Sequence, residues 1–272
     1  MRLYSLCVYL FLYVPIGVIA LFSFNAGRHA SQFQGFSTQW YGKALNNPFV
    51  MDALETSLIV ALVSATLASI FGTMAAVGLQ GIRGPVRTAF DGLIYVAIMI
   101  PGIVIGIATL IALVTIFGYL NPVLGAIWPD GAQPPKLRMG YGSLIAAHTM
   151  FTMALVVIIV RARLSGMDRA LTEASSDLYA TPLGTFRQVT LPLIFPAILA
   201  GFLLSFTFSF DDFIIAFFVA GSETTLPIYV FSSIRRGLTP EINAIGTMVL
   251  GISLVLLVAA QILLRRGAKK PS

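Results

Sequence analysis

Asp211 and Asp212 are adjacent carboxylates inside an apolar run. A charge placed in hydrocarbon costs several kcal/mol, so such groups face a protein interior or a water-filled path. Two readings stay open. The pair lines a path and attracts a cationic solute, with Phe208, Phe210 and Tyr229 adding cation–π contact. Alternatively, it caps a helix or bonds a neighbouring subunit. Adjacent helical positions point about 100° apart. The two carboxylates therefore cannot readily share a proton, which argues against acid–base catalysis. His148 stands in another apolar run with no partner evident and reads as a packing or hydrogen-bonding residue. Two histidines and the single cysteine, Cys7, make no metal cluster and no intrachain disulfide. A phosphate loop of the G-x-x-x-x-G-K-[ST] form is missing, so the chain carries no recognisable ATP site.

Lipid is the solvent that suits this composition. Of 272 residues, 57% are hydrophobic and 10% charged, and the mean hydropathy is +0.90. Soluble domains average roughly 25% charged residues. In lipid every backbone polar group must be paired internally, which favours helices, and a span takes about 20 apolar residues. Six spans are expected, at about residues 3–24, 53–79, 90–117, 141–160, 191–221 and 242–264. The third is interrupted by Pro101, and the fifth is punctuated by Pro192 and Pro196. The first reads as an uncleaved helix rather than a signal peptide, because Asn25–Arg28 offers no small-residue cleavage site. Residues 25–52 and 121–140 read as loops. The first contains a short aromatic stretch at Trp40-Tyr41, and the second carries Pro122, Pro129, Pro134 and Pro135. Gly102 and Gly106 form a G-x-x-x-G that could let helices approach. In a chain with 24 glycines, chance explains it at least as well.

Basic residues set the orientation. With the amino terminus inside, the inner segments hold Arg2, Arg83, Arg87, Arg161, Arg163, Arg169, Arg187, Arg265, Arg266, Lys269 and Lys270. The outer ones hold Arg28, Lys43, Lys136, Arg138, Arg235 and Arg236. The excess of positive charge favours both termini in the cytoplasm.

The longest polar inner stretch runs from Arg161 to Thr190 and reads as two short helices with a break. Asp168 can cap the first, over about 169–179. Thr181 can cap the second, with Pro182 at its first position, where a missing N–H costs nothing. Leu171, Ala174 and Leu178 share one face, leaving Glu173, Ser176 and Asp177 on a polar side. Such a hairpin is a plausible docking surface, although a plain helical loop would look the same.

The stretch Glu173-Ala174-Ser175, followed by Val189-Thr190-Leu191-Pro192, resembles the EAA motif of importer-type ABC permeases. The spacing fits that pattern without a gap. Tyr179 departs from the glycine usual there, which would ease the turn, while Gly184 lies close by. The stretches SFTFSFDDF at 205–213, TLPIY at 225–229, PEINA at 240–244 and GFSTQWY at 35–41 resemble the spermidine/putrescine branch of that family.

The resemblance implies an all-α type I importer permease with a cytoplasmic coupling hairpin at 168–190. Glu173, Ala174, Asp177, Tyr179 and Gly184 would couple it to the ATPase. It also implies a second, homologous permease, two cytoplasmic ATP-binding subunits and an extracytoplasmic solute-binding protein, all in a bacterial inner membrane. ATP and magnesium would sit on the ATPase, with no cofactor in this chain. One rival reading is an importer permease for another small organic solute; the other is an ATP-independent secondary transporter, which would call for inverted repeats that the sequence does not display.

Overall fold

The computed structural model describes residues 2–28, 32–129, 132–168, 170–237 and 239–268. Arg169, Asp130, Lys269 and Lys270 lie outside the described residues, as do the side chains of Arg2, Arg265 and Arg266. The fold is all-helical, with a lone antiparallel bridge from Asn25 to Phe36 among the described residues. Two compact units are formed by residues 1–52 with 229–272, and by residues 53–228.

In the first unit, α1 (Arg2–Ser23) packs against α12 (Pro240–Ala268). The segment after α1 is more ordered than the expected loop. Trp40, on the short helix α2 (Gln39–Leu45), is buried and donates its indole N–H to the Asn25 carbonyl at 2.8 Å. Ser23 and Tyr41 share a hydroxyl hydrogen bond of 2.7 Å. Asn25 Oδ1 accepts the Gln34 N–H at 2.8 Å, so one buried asparagine knits the turn. The next helix, α3 (Pro48–Gly78), starts at Pro48, five residues before the expected Ala53, because proline is well placed at a first helical position.

The second unit is built around α6 (Tyr141–Ser165). One cluster joins Ala68 and Ala76 of α3, and Leu79 just after it, to Val156, Val157, Val160 and Leu164 of α6 and to Ile194 of α9 (Leu191–Asp211). A second joins Val60, Leu144 and Ala147 to Ile215, Ala216 and Val219 of α10 (Ile214–Val219). Small residues set the approach. A Cβ on Gly72 would lie 2.8 Å from Val156 Cβ, and one on Gly201 would lie 3.3 Å from Val156 Cγ1. Val156 is thus held between two glycines, the kind of packing that lets helices associate where lipid supplies no hydrophobic drive.

Several expected boundaries are corrected. The third span is two helices, α4 (Pro85–Met99) and α5 (Gly102–Ile127), and only α5 is long and apolar enough to cross a membrane. Ile100 is extended, as a residue before proline prefers. α5 then runs through Pro122 to Ile127, so the expected loop at 121–140 shortens to the residues beyond Ile127. The fifth span ends at Asp211 rather than Gly221, with α10 following a break. Gly106 is not incidental, since a Cβ there would lie 2.6 Å from Phe218 Cδ2, where α10 packs on α5. Among the described residues five helices are long and apolar enough to span, and the described apolar part of α12, Pro240–Val255, is shorter.

Candidate functional site

The polar stretch after α6 folds as the expected hairpin. Asp168 Oδ1 accepts the Ala170 N–H at 3.0 Å and starts α7 (Ala170–Asp177). Thr181 Oγ1 accepts the Gly184 N–H at 3.1 Å and starts α8 (Pro182–Thr185). Between them the Ala180 N–H reaches the Ser175 carbonyl and the Tyr179 N–H reaches the Ser176 carbonyl, at 3.1 and 2.9 Å. That is the Schellman pattern, which needs a left-handed residue at its centre.

Tyr179 takes that place with φ of +58°, so the turn forms without the usual glycine. Gly184 does not relieve the turn. It lies inside α8, and its missing Cβ would have met Thr181 Oγ1 at 3.1 Å, so its smallness serves the cap.

The tip of the hairpin is apolar and uncovered in this chain. Tyr179 is 96% exposed, Leu178 82% and Leu183 75%. Leu183 was not singled out in the sequence, because a four-residue helix shows no periodicity. Glu173, Ala174 and Asp177 are exposed on α7. Glu173 also borders a cavity of about 430 Å³ with Arg83, Arg87, Asp168, Thr172 and Thr190. Below it, Asp91 of α4 accepts a hydrogen bond from Arg161 of α6, and Arg87 stands 3.8 Å away. Pairing across 70 residues left no trace in the sequence.

The hairpin passes into α9 through a π-turn over Phe186–Thr190, where the Leu191 N–H reaches back to the Phe186 carbonyl. Arg163 of α6 donates to the Leu193 carbonyl at 3.0 Å, tying the start of α9 to the end of α6. α9 is then continuous for 21 residues, about 30 Å, to Asp211. The hairpin and the carboxylate pair therefore occupy opposite ends of one rigid element.

The two aspartates part company at the end of α9. Asp211 is its last residue and is exposed, whereas Asp212 is extended and partly buried. Asp212 Oδ2 accepts the Ala216 N–H at 3.0 Å and so caps α10. Its other neighbour is His148, whose Nε2 lies 3.6 Å from the same oxygen. His148 Nδ1 is 2.7 Å from Ser209 Oγ.

The expected aromatics are not gathered there. Phe208 faces Phe151 of α6 with ring centroids 6.4 Å apart, while Phe210 stacks on Phe206 at 6.0 Å, about half a turn round α9. Tyr229 belongs to the first unit, where its hydroxyl meets the Asn47 amide at 3.3 Å and that amide also donates to Glu241 at 2.8 Å. Of the expected path residues, the structure joins only Asp212 to a buried polar cluster.

Residues 68–270 match the family described as binding-protein-dependent transport system inner membrane component. The chain is 36% identical over 263 residues to the spermidine/putrescine transport system permease protein PotC of Escherichia coli K12, covering 96% of this chain and 92% of that protein. It is 39% identical over 264 residues to the putrescine transport system permease protein PotI of the same organism, covering 96% and 89%.

Two solved structures share the fold. A chain of a bacterial ABC transporter that imports alginate superposes with a TM-score of 0.76 at 16% identity, covering 98% of this chain and 94% of that one. A chain of the MetNI methionine ABC transporter superposes with a TM-score of 0.61 at 16% identity, covering 79% and 94%.

Proposed function

The chain belongs to the binding-protein-dependent transport inner membrane component family, and from that premise we propose that it carries a polyamine of the spermidine/putrescine kind into the cytoplasm. It is a permease subunit and does not hydrolyse ATP itself. Two cytoplasmic ATPase subunits bind ATP and magnesium. A second, homologous permease completes the path, and an extracytoplasmic binding protein delivers the solute. Both termini and the hairpin face the cytoplasm, consistent with the excess of basic residues there.

The observation that carries this reading is the hairpin joined to the carboxylate pair through one continuous helix. Exposed Leu178, Tyr179 and Leu183 offer an apolar tip for a cleft on the ATPase, flanked by Glu173 and Asp177. Closure of the ATPase pair pulls on the hairpin, and α9 transmits the displacement to Asp211 and Asp212. Coupling of this kind requires one element with two arrangements that both sites bias. At the far end the aspartates attract the cationic cargo, and Phe208, the aromatic that shares their side of α9, supports it.

The test is ATPase activity of the complete transporter in lipid, with and without binding protein loaded with spermidine or putrescine. Native chain should show polyamine-dependent stimulation, and Glu173→Ala should lose it while the complex stays assembled. A response to a different solute alone would overturn the polyamine assignment. Failure of the chain to assemble with any ATPase would overturn the importer reading.

A further inference from the structure

We infer that His148 is a positioning residue for cation transport: its Nε2–H directs the Asp212 carboxylate, and Ser209 fixes the tautomer that carries that proton. The inference rests on the reading of Asp212 as a path residue and adds what holds that residue in place.

His148 is 2% exposed, about two turns into α6, and faces Ser209 of α9 across 2.7 Å. A hydrogen bond at Nδ1 can run either way, and the choice decides what Nε2 presents. Were Nδ1 the donor, Nε2 would present a lone pair to a carboxylate oxygen 3.6 Å away, and two acceptors would repel. With the Ser209 hydroxyl donating to Nδ1, Nε2 carries the proton and points it at Asp212 Oδ2. Of the two neutral tautomers, this one alone is attractive toward both the Ser209 hydroxyl and the Asp212 carboxylate.

The contact is longer than a hydrogen bond, and Nε2 is a buried nitrogen without a hydrogen-bond partner. A buried N–H left unmade is costly, so a closer approach to the Asp212 carboxylate is favoured. Asp212 sits at the break between α9 and α10, where the backbone is extended, so a small swing of its carboxylate closes the gap. The carboxylate already accepts from the backbone at Ala216 and Ile215, which anchors it at the start of α10 beside His148. A histidine donor in this tautomer steers the carboxylate without cancelling its charge. A lysine or arginine there would form an ion pair and compete with a cationic cargo.

The experiment measures initial uptake of spermidine and of putrescine by proteoliposomes holding the complete transporter, per assembled complex, over a range of solute. His148→Gln keeps an N–H donor at a similar reach, and His148→Leu fills the space without one. His148→Leu should lower the maximal rate about tenfold, the weight of one hydrogen bond to a charged group, and His148→Gln should stay within about threefold of native. The half-saturating concentration, set by the binding protein, should not move. Ser209→Ala should shift the rate in the same direction as His148→Leu.

On an Asp212→Asn background, His148→Leu should cost nothing further. Equal behaviour of the Gln and Leu variants would make His148 a filler and overturn the inference. So would a full additional loss on the Asp212→Asn background, even with the path reading intact. Native uptake by Asp212→Asn alone would overturn the path reading, and the positioning role with it, whatever His148→Leu does.

Discussion

Ser175 and Thr185 share a hydrogen bond of 2.9 Å between their hydroxyls, one on each arm of the hairpin. Helices this short do not persist alone, so the bond and the turn between the arms set how stiff the hairpin is. Two substitutions should move that stiffness in opposite directions. Ser175→Ala removes the bond and should loosen the hairpin by about 1 kcal/mol. Tyr179→Gly removes the left-handed penalty and should tighten it by about 1 kcal/mol. Amide exchange at Leu178 and Ala180 in the assembled transporter should quicken in the first variant and slow in the second. Faster exchange in Tyr179→Gly would mean that the exposed tyrosine is itself holding the hairpin.

Two glycines touch one valine and share its Cγ1, but only a Cβ at Gly72 would also press on Cβ, with Cγ1 at 2.9 Å. A new Cβ at Gly72 would meet Val156 Cβ at 2.8 Å and the Met153 carbonyl at 3.1 Å. One at Gly201 would first meet Val156 Cγ1 at 3.3 Å. Gly72→Ala should destabilise the permease by about 1–3 kcal/mol, the usual cost of overpacking, and Gly201→Ala by less. Trimming Val156 to alanine deletes Cγ1 and keeps Cβ. It should therefore relieve most of the cost of Gly201→Ala and only part of that of Gly72→Ala, where Val156 Cβ and the Met153 carbonyl remain. Thermal unfolding of the two glycine variants in detergent, with and without Val156→Ala, decides this, and equal, complete rescue of both would count against the packing described.

What was legible in the sequence follows from how local each signal is. The long spans were, because 20 apolar residues in a row have few other uses. So were the hairpin caps at Asp168 and Thr181, since a cap is settled within three residues. The prolines were not. Pro101 ends a helix, whereas Pro122 and Pro196 sit inside one. A proline removes one donor and crowds one carbonyl in every case. The break at Pro101 is stabilised by α10 packing beside Gly102 and Gly106, residues more than 100 positions away in sequence. The partnership of His148 with Ser209 spans 61 residues and was invisible for the same reason.

Asp212 has two duties that different variants separate. Its Oδ2 caps α10 through the Ala216 N–H, and its charge serves the path reading. Asparagine keeps an acceptor oxygen and loses the charge, while alanine loses both. Asp212→Ala should lower thermal stability by about 1 kcal/mol, the usual weight of an N-terminal cap. Asp212→Asn should leave stability near native and still impair polyamine uptake. Equal uptake by native protein and Asp212→Asn would reduce the residue to its capping role.

The turn after α10 tests how firmly that helix is held. Gly221 has φ of +61°, and a Cβ there would lie 2.5 Å from the Met139 carbonyl oxygen. Beside it, Ser143 at the start of α6 donates to the Val219 carbonyl at 2.6 Å. Gly221→Ala meets both a left-handed backbone that side chains disfavour and a carbonyl that cannot step aside, so it should cost more than about 2 kcal/mol. Ser143→Ala leaves a buried carbonyl without its donor, at about 1–3 kcal/mol.

Gly142, next to Ser143, is helical and opens onto empty space. Gly142→Ala should therefore raise stability, by up to about 1 kcal/mol. The same chemical change would then have opposite signs at two glycines that border one contact. Thermal unfolding in detergent reads all three variants. A harmless Gly221→Ala would show that α10 is not anchored against α6 at this turn, and that Asp212 does not depend on it for its position.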